Sequence, residues 1–427
     1  MENRHPLRRV GLDEIGRRDR PADDPACEAT VRRIMDEVRS GGEPVLARYA
    51  HELDRSDGRL WYGPDDFAAA LDSIPVAERD ALGRAAARIR SFAAAQVAAL
   101  SPVDIAVPGG RAGHQVLPVE RAGCYVPGGR YPLPSTVLMT ALVAKTAGVA
   151  DVAVACPRPV PIVLAACAVA GADLLLAAGG AQAIAAFAYG AGRISPRDVV
   201  VGPGNRYVAA AKRLAQSVVR TDAPAGPSEL LVVADETADP VTVAWDLLAQ
   251  AEHDPDAVPA LAATSEAVVT AVESALAACL VELGAYRPES AEIARAALGN
   301  GWAFVSSDPA RLAEAANRFA PEHLELAVAR PQSMAADCRH AGALFIGPAS
   351  AEVFGDYGAG PNHTLPTSGR ARSSGGLSVF DFMRIRTWIQ VEGADSGLIS
   401  DTAVLARAEG LYAHAVSAER RLKPVPA

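Results

Sequence analysis

The sequence predicts an α/β protein with two parallel-sheet domains, a helical region before them and a helical tail after them. Three observations predict it. From Ala122 onward, short apolar runs with Gly or Pro at their ends alternate with Ala-rich segments of helical period. Eight such runs are more than one comfortable sheet holds, so they divide between two. Only 5% of the 427 residues are aromatic while 50% are apolar, so the core is built from Ala, Val and Leu, which suits helices packed closely on sheets.

The elements follow in order. The first twenty residues carry charge throughout and read as an arm. Up to about residue 100, ATVRRIMDEV and ERDALGRAAARIRSFAAAQVAAL place apolar stripes opposite charged faces, which predicts helices. The expected strands are AGCYVPG, DVAVACP, DLLLAAG, DVVVGPG, ELLVVAD, AVPALAA, WAFVSS and ALFIG. Between them STVLMTALVAKTAG, PIVLAACAVAGA, AQAIAAFAYG, NRYVAAAKRLAQ, PVTVAWDLLAQAEH, SEAVVTAVESALAACL and PARLAEAANRF read as helices. Residues 348–376, rich in Gly, Ser and Pro, are too long for an ordinary connection and read as a functional loop. SDTAVLARAEGLYAHAVSAERRL reads as one terminal helix, separated by a linker and placed to dock on a second chain. Gly410 within it suggests close approach to another backbone, since Gly there costs about 1 kcal/mol relative to Ala.

Composition narrows the function. Lys plus Arg number 41 against 50 for Asp plus Glu, a net charge of −9, which argues against nucleic acid or an anionic membrane as the main partner. No run of 18 uncharged apolar residues occurs, and the N-terminus lacks the apolar segment of a signal peptide. A soluble, cytoplasmic protein is expected. The six cysteines show no CxxC pair and mostly sit in apolar stretches, so they read as buried and reduced.

Five stretches could carry chemistry. Gly179-Gly180-Ala181-Gln182 and Gly202-Pro203-Gly204-Asn205 are strand-to-helix turns where free N–H groups favour a phosphate, although any α/β turn can look like this. Neither is a GxGxxG fingerprint. Gln250 and His253, spaced by three near a helix end, can converge on one ion, or His253 can be a surface residue stabilised by the helix dipole. Glu322 and His323 offer a carboxylate and an imidazole for proton transfer, provided the backbone bends so that both reach one site. The stretch Gly355–Thr367 holds Asp356 and His363 in a loop with no hydrophobic reason for them. Glu409 and His414 lie on the tail.

The phrases CYVPGGRYPLPSTVLM, GGAQAIAAFAYG, VGPGNRYVAAAKRL, DAPAGPSELLVVAD, DLLAQAEHD, NRFAPEHLEL, GPNHTLPTSG and EGLYAHA closely resemble the histidinol dehydrogenase family, in its order and spacing, from about Ala122 to Arg421. The resemblance implies a homodimeric oxidoreductase of histidine biosynthesis. Such an enzyme uses zinc and NAD to oxidise L-histidinol through an aldehyde to L-histidine, a four-electron oxidation on two Rossmann-like domains. It implies that Gln250, His253, Asp356 and His414 hold zinc, the last supplied by the other subunit. It implies that His323 is the base of the alcohol step and that Glu322 activates water for the second. Ser228, His363 and Glu409 match substrate-pocket positions, where the zinc ligands and His323 also meet substrate. Tyr125, Gln182 and Asn205 match the NAD site.

The implied division is 1–20 as an arm, 21–125 with 228–375 as a first domain carrying the catalytic residues, 126–227 as an NAD-binding domain, and 376–427 as a tail docking on the partner subunit. GGRYPL, and the Gly-Gly before Leu377, resemble instead a sister branch that oxidises a sulfonated propanediol. The same chemistry on that diol, or on another small polar alcohol, is the alternative. A non-catalytic ligand-binding relative is a third reading.

Overall fold

The structure, a computed structural model, describes residues 7–16, 24–56, 58–128, 131–222, 226–393 and 395–422. Parts of the expected arm (1–6 and 17–20), of GGRYPL (129–130), of DAPAGPSELL (223–225) and of the tail (394 and 423–427) lie outside the described residues. The strands, in chain order, are Arg8–Arg9 (β1), Trp61–Tyr62 (β2), Val103–Val107 (β3), Gly110–Pro118 (β4), Arg121–Tyr125 (β5), Asp151–Ala155 (β6), Leu174–Leu176 (β7) and Val199–Val201 (β8). They continue with Arg220–Thr221 (β9), Glu229–Ala234 (β10), Val258–Ala263 (β11), Trp302–Val305 (β12), His323–Ala327 (β13), Ala343–Ile346 (β14) and Met383–Val391 (β15).

Two sheets are six-stranded and follow one plan. One runs β2-β7-β6-β5-β8-β9, the other β1-β12-β11-β10-β13-β14. In each, the chain steps outward through three strands, returns past the first, and adds two on the other side. That return makes a switch point between β5 and β8, and another between β10 and β13, where open α/β sheets leave a crevice. All pairings are parallel except that of β2 with β7.

Alternate residues of a strand face opposite layers. Leu230, Val232 and Ala234 therefore join the helix Pro240–Ala251 in one core, while Leu231 and Val233 join the helix Pro309–Phe319 in another. Each fully buried Val or Leu contributes roughly 2 kcal/mol. All six cysteines are buried and free.

The strand pairing corrects the expected division. Arg121–Tyr125 lies at the centre of the sheet formed by 151–221, not with residues 228–375. The helices before it follow. Pro25–Asp54 packs Val31, Ile34 and Leu46 on one face of that sheet, and Phe67, Leu82 and Ile89 pack on the other. Parallel strands require long crossovers, so position along the chain does not say which sheet an early helix will cover.

The first part of the tail packs on its own chain. Val379 and Phe382 are buried in this chain's own core, and β15 pairs antiparallel with β4 in a three-stranded sheet with β3. Beyond it stand two helices, Ser396–Ala408 and Tyr412–Glu419, not one. Gly410 separates them at φ +78°, a left-handed stop, and no atom of this chain lies where its Cβ would be. Among the described residues one helix, Glu266–Tyr286, is long and apolar enough to cross a membrane. Its Val268, Val269, Val272 and Leu276 are buried in the core.

Candidate active site

The site forms where the carboxyl edge of one six-stranded sheet meets the amino edge of the other. A cleft there is lined by Pro203 and Asp222, which follow β8 and β9, by Ser228 and Glu322, which precede β10 and β13, and by His363 and Leu365 of the long loop.

Glu322 and His323 reach the same place because the backbone bends before them. The helix Pro309–Phe319 ends at Ala320 in a left-handed turn of φ +51°, so Glu322 falls short of the strand that His323 begins. The Glu322 carboxylate accepts the Glu229 N–H at 3.0 Å and lies 3.8 Å from His323 Nδ1. Both side chains are buried.

The two neighbours of His323 Nδ1 are acceptors: the Glu229 carbonyl at 3.2 Å and Gln250 Oε1 at 3.1 Å. The proton of the neutral ring therefore sits on Nδ1, and Nε2 keeps its lone pair. Burial lowers this imidazole to about 4, against the raising influence of Asp356 and Glu229, so it stays neutral and able to accept a proton through the physiological range. Glu322 moves the other way. Burial first, then the charges of Glu229, Asp356 and Glu352, push it well above the carboxylate range.

Gln250 lies in the last turn of its helix and is fully buried, whereas His253 follows two residues after the helix ends and is exposed. Gln250 Nε2 approaches His253 Nδ1 at 3.5 Å. Asp356 closes the far side, 3.4 Å from His363. Burial works to raise it, but His363, His323 and His253 together hold it below its ordinary value, as a carboxylate. Thr136, beside the π-helical turn Leu138–Leu142, reaches His363 Nε2 at 3.4 Å, and Asn362 donates to the Met139 carbonyl of that turn at 2.6 Å.

The predicted metal ligands are thus brought together in part. Gln250, His253 and Asp356 act on one small region, while Glu409 and His414 are exposed on the tail. Among the described residues no group of three His, Cys, Asp or Glu is arranged to hold a metal. That follows from the donor set, since Gln250 contributes an amide and one chain then supplies only His253 and Asp356. The oxygen and imidazole donors present are of the kind that zinc takes.

Of the three residues matched to a dinucleotide, Tyr125 ends β5, and Gln182 and Asn205 lie past the carboxyl ends of β7 and β8, around the switch point. Burial lifts the Tyr125 hydroxyl to about 12, and it accepts the Gly180 N–H at 3.2 Å. Gln182 is buried, donating to Asp54 at 3.0 Å, and its Oε1 has no partner, an acceptor waiting for a donor. That orphaned oxygen fits a polar ligand. Backbone N–H groups of both turns are already taken within the chain. Asp54 takes the Gly179 N–H at 2.8 Å, and Asp222 takes that of Gly202 at 2.7 Å while paired with Lys212. Asn205 is exposed and caps its helix through Tyr207 N and Val208 N. Gly202 itself is required: at φ +117° its Cβ would meet the Tyr125 carbonyl oxygen at 2.0 Å.

Four residues of the site carry a signal that motif reading passed over. Glu229, Asp246, Glu325 and Glu352 are all buried, the first three within otherwise apolar strands or helices. An acid in such a run is itself a flag. Glu352 is fully buried with neither carboxyl oxygen partnered, and burial, then Asp356 and Asp246, raise it to about 8. The fold holds this group as the neutral acid, whereas the unfolded chain ionises it near 4.5. Its stabilising contribution is present below 4.5 and lost as pH rises through about 8. Glu352→Gln is therefore expected to flatten the fall in stability between roughly pH 5 and pH 8, by up to about 1.4 kcal/mol per pH unit. Urea midpoints across that range check it, and parallel slopes in the two proteins would contradict it.

The chain is similar to known proteins of one family. The histidinol dehydrogenase family model matches residues 17–422. A histidinol dehydrogenase of Thermus thermophilus is 45% identical over 405 residues, 93% of this chain and 95% of its own length. One from Pseudomonas aeruginosa is 44% identical over 409 residues, 93% and 92% of the two chains. The crystal structure of histidinol dehydrogenase from Elizabethkingia anophelis matches with a TM-score of 0.90 at 32% identity, covering 98% of each chain.

Proposed function

Since the chain belongs to the histidinol dehydrogenase family, we propose that it oxidises L-histidinol through the aldehyde to L-histidine, as a homodimer with shared sites, using zinc and NAD. The observation that carries the reading is the neutral His323, its Nδ1 turned to two acceptors, beside a buried Glu322.

His323 Nε2 accepts the alcohol proton in the first step. In the second, Glu322 orients and deprotonates the water that adds to the aldehyde. Ser228 and His363 line the cleft that holds the substrate. Gln250, His253 and Asp356, with His414 of the partner subunit, would hold zinc, and Glu409 would reach the substrate with it. Zinc when bound supplies a Lewis-acid template that orients the substrate's amine and imidazole. Tyr125, Gln182 and Asn205 would border NAD, which supplies the hydride acceptor.

The charge of the cleft favours an amino alcohol over a sulfonated diol. Glu322 and Asp381 line it, as does Asp222, which is paired with Lys212, and among the described residues no Lys or Arg lines it. A sulfonate would lose its water there without gaining a cation, whereas a protonated amine gains carboxylates. NADH formation from L-histidinol is expected to exceed that from dihydroxypropanesulfonate by at least about 100-fold in kcat/KM. The reverse preference would transfer the chain to the sister activity, and a chain that forms no NADH from either would be the non-catalytic relative.

A further inference from the structure

Two buried acids link the helix of Gln250 to the strand of His323. Asp246 and Gln250 are four residues apart on the helix Pro240–Ala251, and His323 and Glu325 are two apart on β13. The helix spacing advances about 6 Å along its axis, and the strand spacing about 6.7 Å. The two intervals nearly coincide, so one helix face can meet one strand face at two points. It does. Gln250 Oε1 meets His323 Nδ1 at 3.1 Å, and Asp246 is hydrogen-bonded to Glu325.

A hydrogen bond between two carboxyl groups needs one proton. Burial raises both acids, and their mutual charge adds to it, so the pair keeps a proton between them. The outer oxygens, Asp246 Oδ2 and Glu325 Oε2, have no partner. An acid pair half satisfied in a core is a poor way to stabilise a fold, and apolar residues of similar size do better. Stability does not account for it.

We propose that Asp246 and Glu325 are positioning residues whose shared hydrogen bond sets the register of helix on strand, and so holds Gln250 against the Nδ1 of His323. The proposal rests on reading His323 as the base of the alcohol step. Glu325 makes no contact with the reacting atoms in this arrangement. It fixes where Gln250 Oε1 stands, and that oxygen keeps a second lone pair for an ion while it accepts from the ring.

The test compares three variants of the full-length protein. Glu325→Gln retains a donor to Asp246 without needing a proton, and is expected to keep kcat within about threefold of the wild type. Asp246→Leu with Glu325→Leu removes both acids together, leaves no orphaned charge, and is expected to unfold at the same or higher temperature. In that stable double variant kcat should fall about tenfold with KM little changed, and the ¹⁵N-detected Nδ1 proton of His323, assigned with His323→Gln, should shift and exchange faster with solvent. A double variant that is stable yet keeps both kcat and the Nδ1 signal would overturn the proposal, as would equal losses in Glu325→Gln and the double variant. The Nδ1 signal is read without turnover. If it changes as expected while the wild type oxidises no histidinol, the positioning role stands and the proposed substrate falls.

Discussion

Replacing Glu322 by Gln is expected to stop aldehyde oxidation while sparing most of the alcohol step. The amide keeps the size of the side chain, and its oxygen can still accept the Glu229 N–H that the carboxylate accepts at 3.0 Å, so the local fold persists. What disappears is the basic oxygen. An alcohol needs only a base for its hydroxyl proton, and His323, neutral with Nε2 free, remains to provide it. An aldehyde has no transferable hydride of the required kind until water has added, and that addition needs a second base. The loss expected on the aldehyde is about 100-fold or more, the size of a missing general base. His323→Ala should impair both steps. Supplying L-histidinol and the aldehyde separately and following NADH from each decides the matter: equal losses on both substrates in Glu322→Gln would refute the division of roles.

The second large effect concerns His253. It is exposed in a turn after its helix, so His253→Ala should leave the fold and its thermal transition unchanged. Yet it lies against Gln250 and acts on Asp356, whose carboxylate form the surrounding histidines maintain. With two His or Asp donors per chain, loss of one leaves too few to retain an ion. The purified wild type is expected to hold about one zinc per subunit by elemental analysis, and His253→Ala to lose most of it together with at least about 100-fold in NADH formation. Full activity after exhaustive chelation would remove zinc from the account.

Much of the site was legible because chemistry stood out against its setting. Glu322-His323 after a Pro, and Asp356 and His363 in a glycine-rich loop, are polar groups with no packing reason to be there. Asp246 and Glu325 were legible in principle, as single acids inside apolar runs, but nothing local says that they meet each other, since they are brought together only by a helix crossing a sheet. Asp54 is the same case: it ends the first long helix, 125 residues before the Gly179 amide it accepts from.

By itself the sequence determined the α/β class, eight of the strands with most of the helices between them, and the family. Periodicity and turn chemistry are local, and local rules decide them. Only the tertiary structure decided that β5 and the helices before it belong to the sheet of residues 151–221, that β15 returns to β4, and that the N–H groups of Gly179 and Gly202 are already taken by Asp54 and Asp222. Those facts depend on contacts between residues far apart in the chain. Loop closure weakens with separation only slowly, so many distant pairings are open to a sequence, and burial of the whole core selects among them.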